Sequence, residues 1–334
     1  MNAPCYQPLV HRTAIATACL ALLPIIFGAL VTSMKAGMAF ADWPSSDGQF
    51  MLTYPWFSDF VHGAKDKFVE HGHRLAGMLI GVASIGLALV LFRKEPRKWV
   101  KFLGVAILMS VIAQGILGGM RVLANRPDYA MFHGNFAAWV FTMMAATALV
   151  TSRRWFQIAE SPSKCDLSIL KPLAILTSLA VYGQYILGGR QRHLHDLLHE
   201  HLAGAFVVLL FVVTTVVVAH RSGEPWLKRP AWMMLLFVLI QAALGAGAWV
   251  TKLGFPPTGY VALQGSTLQL FVRSSHTVVG MLLLMSTVTF LVRVLRLQSV
   301  TQEKLSSWTL GSPVMPPPIP VKVLPPPIPV RRDI

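Results

Sequence analysis

Glu70-His71-Gly72-His73-Arg74 gathers a carboxylate, two imidazoles and a guanidinium at the head of a long apolar run, Leu75 to Phe92. Ionisable groups at a membrane boundary are costly and usually carry function. Three later apolar runs also open on a histidine, at His133, His201 and His276. One such histidine is ordinarily an interfacial anchor or a hydrogen-bonded packing residue; four at matching positions point to ligation of a metal or a haem. Zinc is a poor fit, because the four histidines come singly from separate runs and no CxxC is present. Haem iron suits single histidines delivered by different helices of a bundle. On helices that run in the same direction, His73 can face His133 across one haem, and His201 can face His276 across another.

The two pairs are alike as cofactor holders and unlike as chemical sites. Glu70 and His73 are three apart and share a helix face, while His71 points elsewhere. Leu198 stands one turn before His201, so the second pair lacks this carboxylate; Asp196 and Glu200 are near but out of phase. The cluster His193, His195, His199 and His201 leaves open whether His199 or His201 is the ligand there, since both cannot face one iron from one helix.

Apolar helices must position these residues. The chain has 334 residues, 54% hydrophobic and 13% charged, where a soluble domain carries about 25% charged residues. Its apolar blocks reach the roughly 20 residues that a bilayer demands. The pattern predicts an all-α polytopic membrane protein with eight transmembrane helices, near 13–34, 73–92, 102–120, 132–151, 172–189, 200–219, 231–250 and 275–296. They divide into two tandem four-helix bundles, an N-terminal half over 1–151 and a C-terminal half over 152–300. Residues 301–334 form a proline-rich tail, in which Pro316-Pro317-Pro318-Ile319-Pro320-Val321 is echoed by Pro325-Pro326-Pro327-Ile328-Pro329-Val330; it is expected to be disordered. The block from Ala14 to Ser33 is too long for the apolar region of a signal peptide and is read as the first helix.

The net charge of +15 collects in short loops around Arg93–Lys101, Arg153–Lys171 and Arg221–Arg229 and beyond Arg293. Basic loops that alternate with less basic ones belong on the cytoplasmic side. This places the protein in the inner membrane with both termini cytoplasmic and the histidines toward the outer face, and it accounts for the charge without a nucleic-acid partner. The three cysteines, Cys5, Cys19 and Cys165, offer no disulfide framework. The odd-numbered helices end in small residues: Gly28-Ala29, Gln114 with Gly118-Gly119, Gln184 with Gly188-Gly189, Gln241 with Gly245-Ala246-Gly247. Small residues let membrane helices approach closely and would here make room for flat macrocycles.

At these positions the chain resembles the haem A synthase family of integral membrane proteins, over about residues 10–297. The resemblance rests on Gly28-Ala29-Leu30-Val31-Thr32, Gly37, Asp42-Trp43-Pro44, Glu70-His71-Gly72-His73-Arg74, Gln114 with Leu117-Gly118-Gly119, and the later histidines. It implies a b-type haem on His201 and His276. It implies that the substrate, haem O, is oxidised at a ring methyl near His73 and His133, with Arg74 beside them and Glu70 taking part, to give the formyl-bearing haem A of terminal oxidases. Haem O synthase, terminal oxidase subunits and membrane lipid are the partners this suggests; the electron donor is not indicated. Oxidising an unactivated methyl is work for haem or iron chemistry. Glu70 could move a proton in such a site or could simply pair with Arg74. Two departures stand out. Many bacterial members carry a cysteine pair in outer loops, whereas no cysteine lies between Lys35 and Gly72. Leu202 follows His201 where an arginine is expected, leaving Arg190 and Arg192 as nearby cations for a haem propionate. The competing classes are a dihaem b-type electron-transfer cytochrome, against which a carboxylate in only one half argues, and a non-enzymatic haem carrier in oxidase assembly.

Overall fold

Pro24 has no amide hydrogen for the carbonyl four residues before it, and the first apolar block is accordingly built in two pieces. α1 (Pro8–Leu20) and α2 (Leu22–Ser33) meet at Ala21 and together cover 26 residues. This is a computed structural model that describes residues 5–160 and 167–310. The chain continues through α3 (Trp56–Val61), α4 (Lys65–Lys94), α5 (Lys98–Ala124), α6 (Pro127–Val150), α7 (Arg153–Glu160), α8 (Leu170–His193), α9 (Leu198–Arg221), α10 (Pro225–Leu253) and α11 (Thr267–Leu310). Local chemistry sets several ends. Pro127 and Pro225 sit in first turns, where their missing amides cost nothing. Glu224 caps α10 by accepting from the Trp226 amide at 3.1 Å. Asn125 closes α5 at φ 46°, a left-handed position that asparagine tolerates.

Among the described residues, seven helices are long and apolar enough to cross a bilayer: α1 with α2, α4, α5, α8, α9, α10 and α11. The chain is thus an all-α, multi-pass membrane protein. α6 has spanning length but falls outside that set, diluted by the polar His133 and Asn135. α4 packs on α2 and α5, α5 on α6, and α1 on α4 and α6. α8 packs on α9, α9 on α10, α10 on α11, and α11 returns to α8. The first set meets the second where α2 and α6 pack on α11, and α6 on α8. One buried apolar cluster runs through both sets, from Val10, Leu87 and Met144 to Val212, Met234 and Leu284. Large apolar side chains such as Val82, Phe102, Phe206 and Leu210 face outward, as a lipid solvent permits.

Several helices outrun their apolar stretches. α4 starts at Lys65, not near residue 73, so Glu70 and His71 are helical. α5 extends to Ala124 and takes in Arg121; α8 extends to His193 and takes in Arg190 and Arg192. α11 continues to Leu310, through the first ten residues assigned to the tail. The proline repeats at 316–330 and Cys165 lie outside the described residues; Cys5 and Cys19 are free thiols.

Candidate functional site

The four histidines come together as two pairs at one end of the helices. The ring centres of His73 (α4) and His133 (α6) are 6.0 Å apart, with planes at 82°. Those of His201 (α9) and His276 (α11) are 6.2 Å apart, at 85°. His199 is exposed two residues from His201 and takes no part in either pair.

Each imidazole is seated against a glycine of the preceding span. A methyl carbon added to Gly28 would lie 3.0 Å from Cε1 of His73, on Gly118 3.3 Å from His133, on Gly188 3.0 Å from His201, and on Gly245 3.1 Å from His276. The small residues therefore make room first for the histidine rings themselves, rather than for a macrocycle directly. A second repeat lies four residues before each glycine. His73 Nδ1 donates to the Pro24 carbonyl at 2.9 Å. The other three rings are held differently: Nδ1 of His201 faces Gln184 Nε2 at 3.1 Å, and Nδ1 of His133 and of His276 is left without a hydrogen bond. The glutamine side chains bind the start of the next span: Gln114 Nε2 donates to the His133 carbonyl at 3.0 Å and Gln184 Nε2 to the His201 carbonyl at 2.7 Å. At His73 the carbonyl at Nδ1 fixes the ring and favours the tautomer whose Nε2 lone pair is free for a metal.

This arrangement fits a haem iron. Two iron–nitrogen bonds of about 2.0 Å, with about 1.1 Å from each nitrogen to its ring centre, put the centres of two axial imidazoles about 6 Å apart. Both pairs have that spacing, and neutral imidazoles are suitable donors.

The first pair has a built surround. Glu70 is only 3% exposed. Its Oε2 accepts from the amides of Ala39 (2.7 Å) and Phe40 (3.3 Å), and its Oε1 from Arg74 at 3.0 Å. Arg74 also donates to the carbonyls of Asp42 (3.0 Å) and Ser45 (2.6 Å). His71 is fully buried; its Nε2 donates to the Met51 carbonyl at 3.0 Å, so its Nδ1 accepts from the Ser46 hydroxyl at 3.0 Å. Glu70, His71 and Arg74 thus pin the 34–64 segment onto the projecting turns of α4. A methyl carbon on Gly119 would collide with the Trp43 ring, so that segment also seats against the end of α5. Asp59 and His62 lie in the same segment, and Tyr54 with Trp56 packs on the His71 ring.

Known proteins share these features. Residues 59–200 match the family model described as cytochrome oxidase assembly protein (COX15-CtaA). A protein from Symbiobacterium thermophilum named Heme A synthase is 32% identical over 195 residues, 55% of this chain and 60% of that protein. One of the same name from Methylobacterium nodulans is 34% identical over 42% of this chain and 41% of its own length. A third, from Geobacillus kaustophilus, is 25% identical over 75% of this chain and 84% of its own length. Over residues 59–200 this chain is similar to the cytochrome oxidase assembly protein family. Its alignment to the first two relatives spans less than two thirds of their length.

Within the cytochrome oxidase assembly protein family match lie Glu70, His73, Arg74 and His133, and it stops one residue before His201. The second pair therefore stands on geometry and on its likeness to the first. Two cations near the pairs, Arg121 and Arg273, are not marked in the sequence, whereas Arg190 and Arg192 are. Arg121 lies against Gly37 and within electrostatic reach of His73 and His133. Arg192 joins α8 to α2 and α11, and Arg273 lies beside it. Arg190 is taken up by an ion pair with Asp196. His193, from α8, comes within electrostatic reach of His133. Helix lengths beyond the apolar runs were the signal that could have found them.

Proposed function

We propose that this protein is a haem A synthase, an oxidoreductase that converts a ring methyl of haem O to a formyl group. The observation that carries the reading is the pair of facing histidines in each set of helices, at 6.0 and 6.2 Å, in a chain that is similar to the cytochrome oxidase assembly protein family over residues 59–200. The eight long helices then form two four-helix units. His201 and His276 hold a resident b-type haem, and His73 and His133 bind the haem O substrate. The haem iron supplies the oxidising chemistry, which side chains lack.

The chain's own residues do the rest. Pro24 and Gly28 fix the His73 ring, Gly118 seats the His133 ring, and Gln114 holds the His133 backbone carbonyl. Arg74 and Glu70 hold the 34–64 segment over this end, which limits water. Glu70 spends three of its roughly four acceptor positions on the segment and Arg74; the remaining one can take a proton released as the methyl is oxidised. The protein sits in the inner membrane with both termini cytoplasmic, its histidines toward the outer face. Haem O synthase and the terminal oxidase are the upstream and downstream partners.

The near-identical geometry of the two pairs also favours one other reading, a dihaem electron-transfer cytochrome. Pigments extracted from protein co-expressed with a source of haem O separate the two. Accumulation of haem A supports the synthase; haem b in both sites with no haem A supports the cytochrome; haem O bound and unchanged under turnover supports a carrier.

A further inference from the structure

The guanidinium of Arg192 lies between the two histidine pairs. From the end of α8 it donates to the Ala29 carbonyl (2.9 Å) and Ser33 Oγ (3.0 Å) on α2, and to Thr277 Oγ1 (2.6 Å) and the Arg273 carbonyl (3.3 Å) on α11. Ser274 of α11 converges on the same α2 atoms, donating to Ser33 Oγ at 2.9 Å and to the Ala29 carbonyl at 3.3 Å. Ala29 follows Gly28, the seat of His73, and Thr277 follows His276. One side chain thus joins the helix that seats His73 to the helix that carries His276.

Its charge is the second observation. At this end of the molecule Lys67 pairs with Asp47, Arg74 with Glu70, Arg126 with Asp128 and Arg190 with Asp196. The four acceptors of Arg192 are all neutral, and its charged neighbour is another cation, Arg273. A cation without a carboxylate inside a spanning helix is expensive and marks function. Its field falls on the His201–His276 site, one residue from His276.

We propose that Arg192 is a positioning residue that couples the two pairs and sets a positive field at the C-terminal one. The proposal rests on the reading that His201 and His276 hold a haem. A nearby positive charge favours the reduced iron and so raises the reduction potential, since charge and hydrogen bonding around a haem tune it. The orientation of the His276 ring then depends on acceptors that α2 supplies from the other set of helices.

The test uses full-length protein purified from cells without a haem O source, so that only the resident haem is present. Midpoint potential and low-spin electron paramagnetic resonance are compared for wild type, Arg192→Met, Arg192→Lys and Ser33→Ala. Arg192→Met is expected to lower the midpoint potential, and Arg192→Lys, which keeps the charge, to restore most of it. Ser33→Ala keeps every charge yet is expected to shift the resonance of a haem held by α9 and α11. A role confined to folding would not move these signals in protein of unchanged haem content. Unchanged potential in Arg192→Met overturns the proposal; if that variant does not accumulate, an unchanged resonance in Ser33→Ala overturns it. Wild-type protein that holds no haem on His201 and His276 removes the functional reading itself, and this is seen before any variant is made.

Discussion

Four glycines decide whether four imidazoles can reach their seats. A methyl carbon on Gly245 would lie 3.1 Å from His276 Cε1, closer than ordinary van der Waals contact, in an interior that relaxes only partly. Gly245→Ala should therefore tilt the ring, alter the low-spin haem spectrum and speed haem loss. Gly77 in α4 meets nothing within 4 Å. Gly77→Ala should leave the spectrum alone and stabilise the helix by up to about 1 kcal/mol. Equal spectra for the two variants would mean that the glycines serve packing in general. Glu70 offers a sharper test. Glu70→Gln keeps the shape and removes the charge; haem O or a partly oxidised product should accumulate in place of haem A, with the rate down by about 10²-fold and the resident haem retained. Haem A formed at the normal rate would restrict Glu70 to holding the loop. Glu70→Ala should also lower the thermal midpoint, because it strands Arg74 without its partner at a cost of about 3–5 kcal/mol.

At the scale of elements, the 34–64 segment is a cover fastened at few points. Asp42 is one of them, its oxygens accepting from the amides of Asp47 (3.0 Å) and Gly48 (2.8 Å). Partial burial works to raise its carboxyl, but the Ser45 hydroxyl and these amides outweigh burial and hold it below the usual range. A carboxyl depressed in the folded state contributes stability above its unfolded value of about 3.9, and loses it as pH falls through the lower folded value. Limited proteolysis of the segment should thus accelerate on acidification below about pH 4, and Asp42→Asn should be cut faster at neutral pH with a flatter acid dependence. A cleavage rate in Asp42→Asn identical to wild type at every pH would show that this turn does not hold the cover.

For the whole molecule, the two pairs are expected to be separable in occupancy. His276→Ala should abolish the low-spin spectrum of the resident haem while the protein stays in the membrane, because the apolar spans set insertion. His133→Ala should keep that spectrum and stop haem A formation. Loss of the resident haem in His133→Ala would mean that the helices form one site rather than two.

The sequence by itself determined the helical class, the repeated histidines and their pairing, because apolar runs of bilayer length force parallel even-numbered spans and bring residues of equal depth together. It also marked the Gly-Gly and Gln positions, though not that the glycines receive the rings. Only the tertiary structure decided what the turns beyond the apolar runs do. Residues 65–72 carry no apolar signal; they are helical and buried at Glu70 and His71 because a segment some 30 positions earlier supplies Ala39, Phe40 and Ser46 as partners. Arg192 reads in the sequence as a cation for a haem propionate; only the structure shows α2, 163 positions away, placing the Ala29 carbonyl against it. That His201, and not His199, lies beside His276 follows likewise from a helix face that only packing against α8 and α11 defines. Hydrophobic periodicity reports burial in lipid, whereas polar hydrogen bonds between distant segments leave no period in the sequence to read.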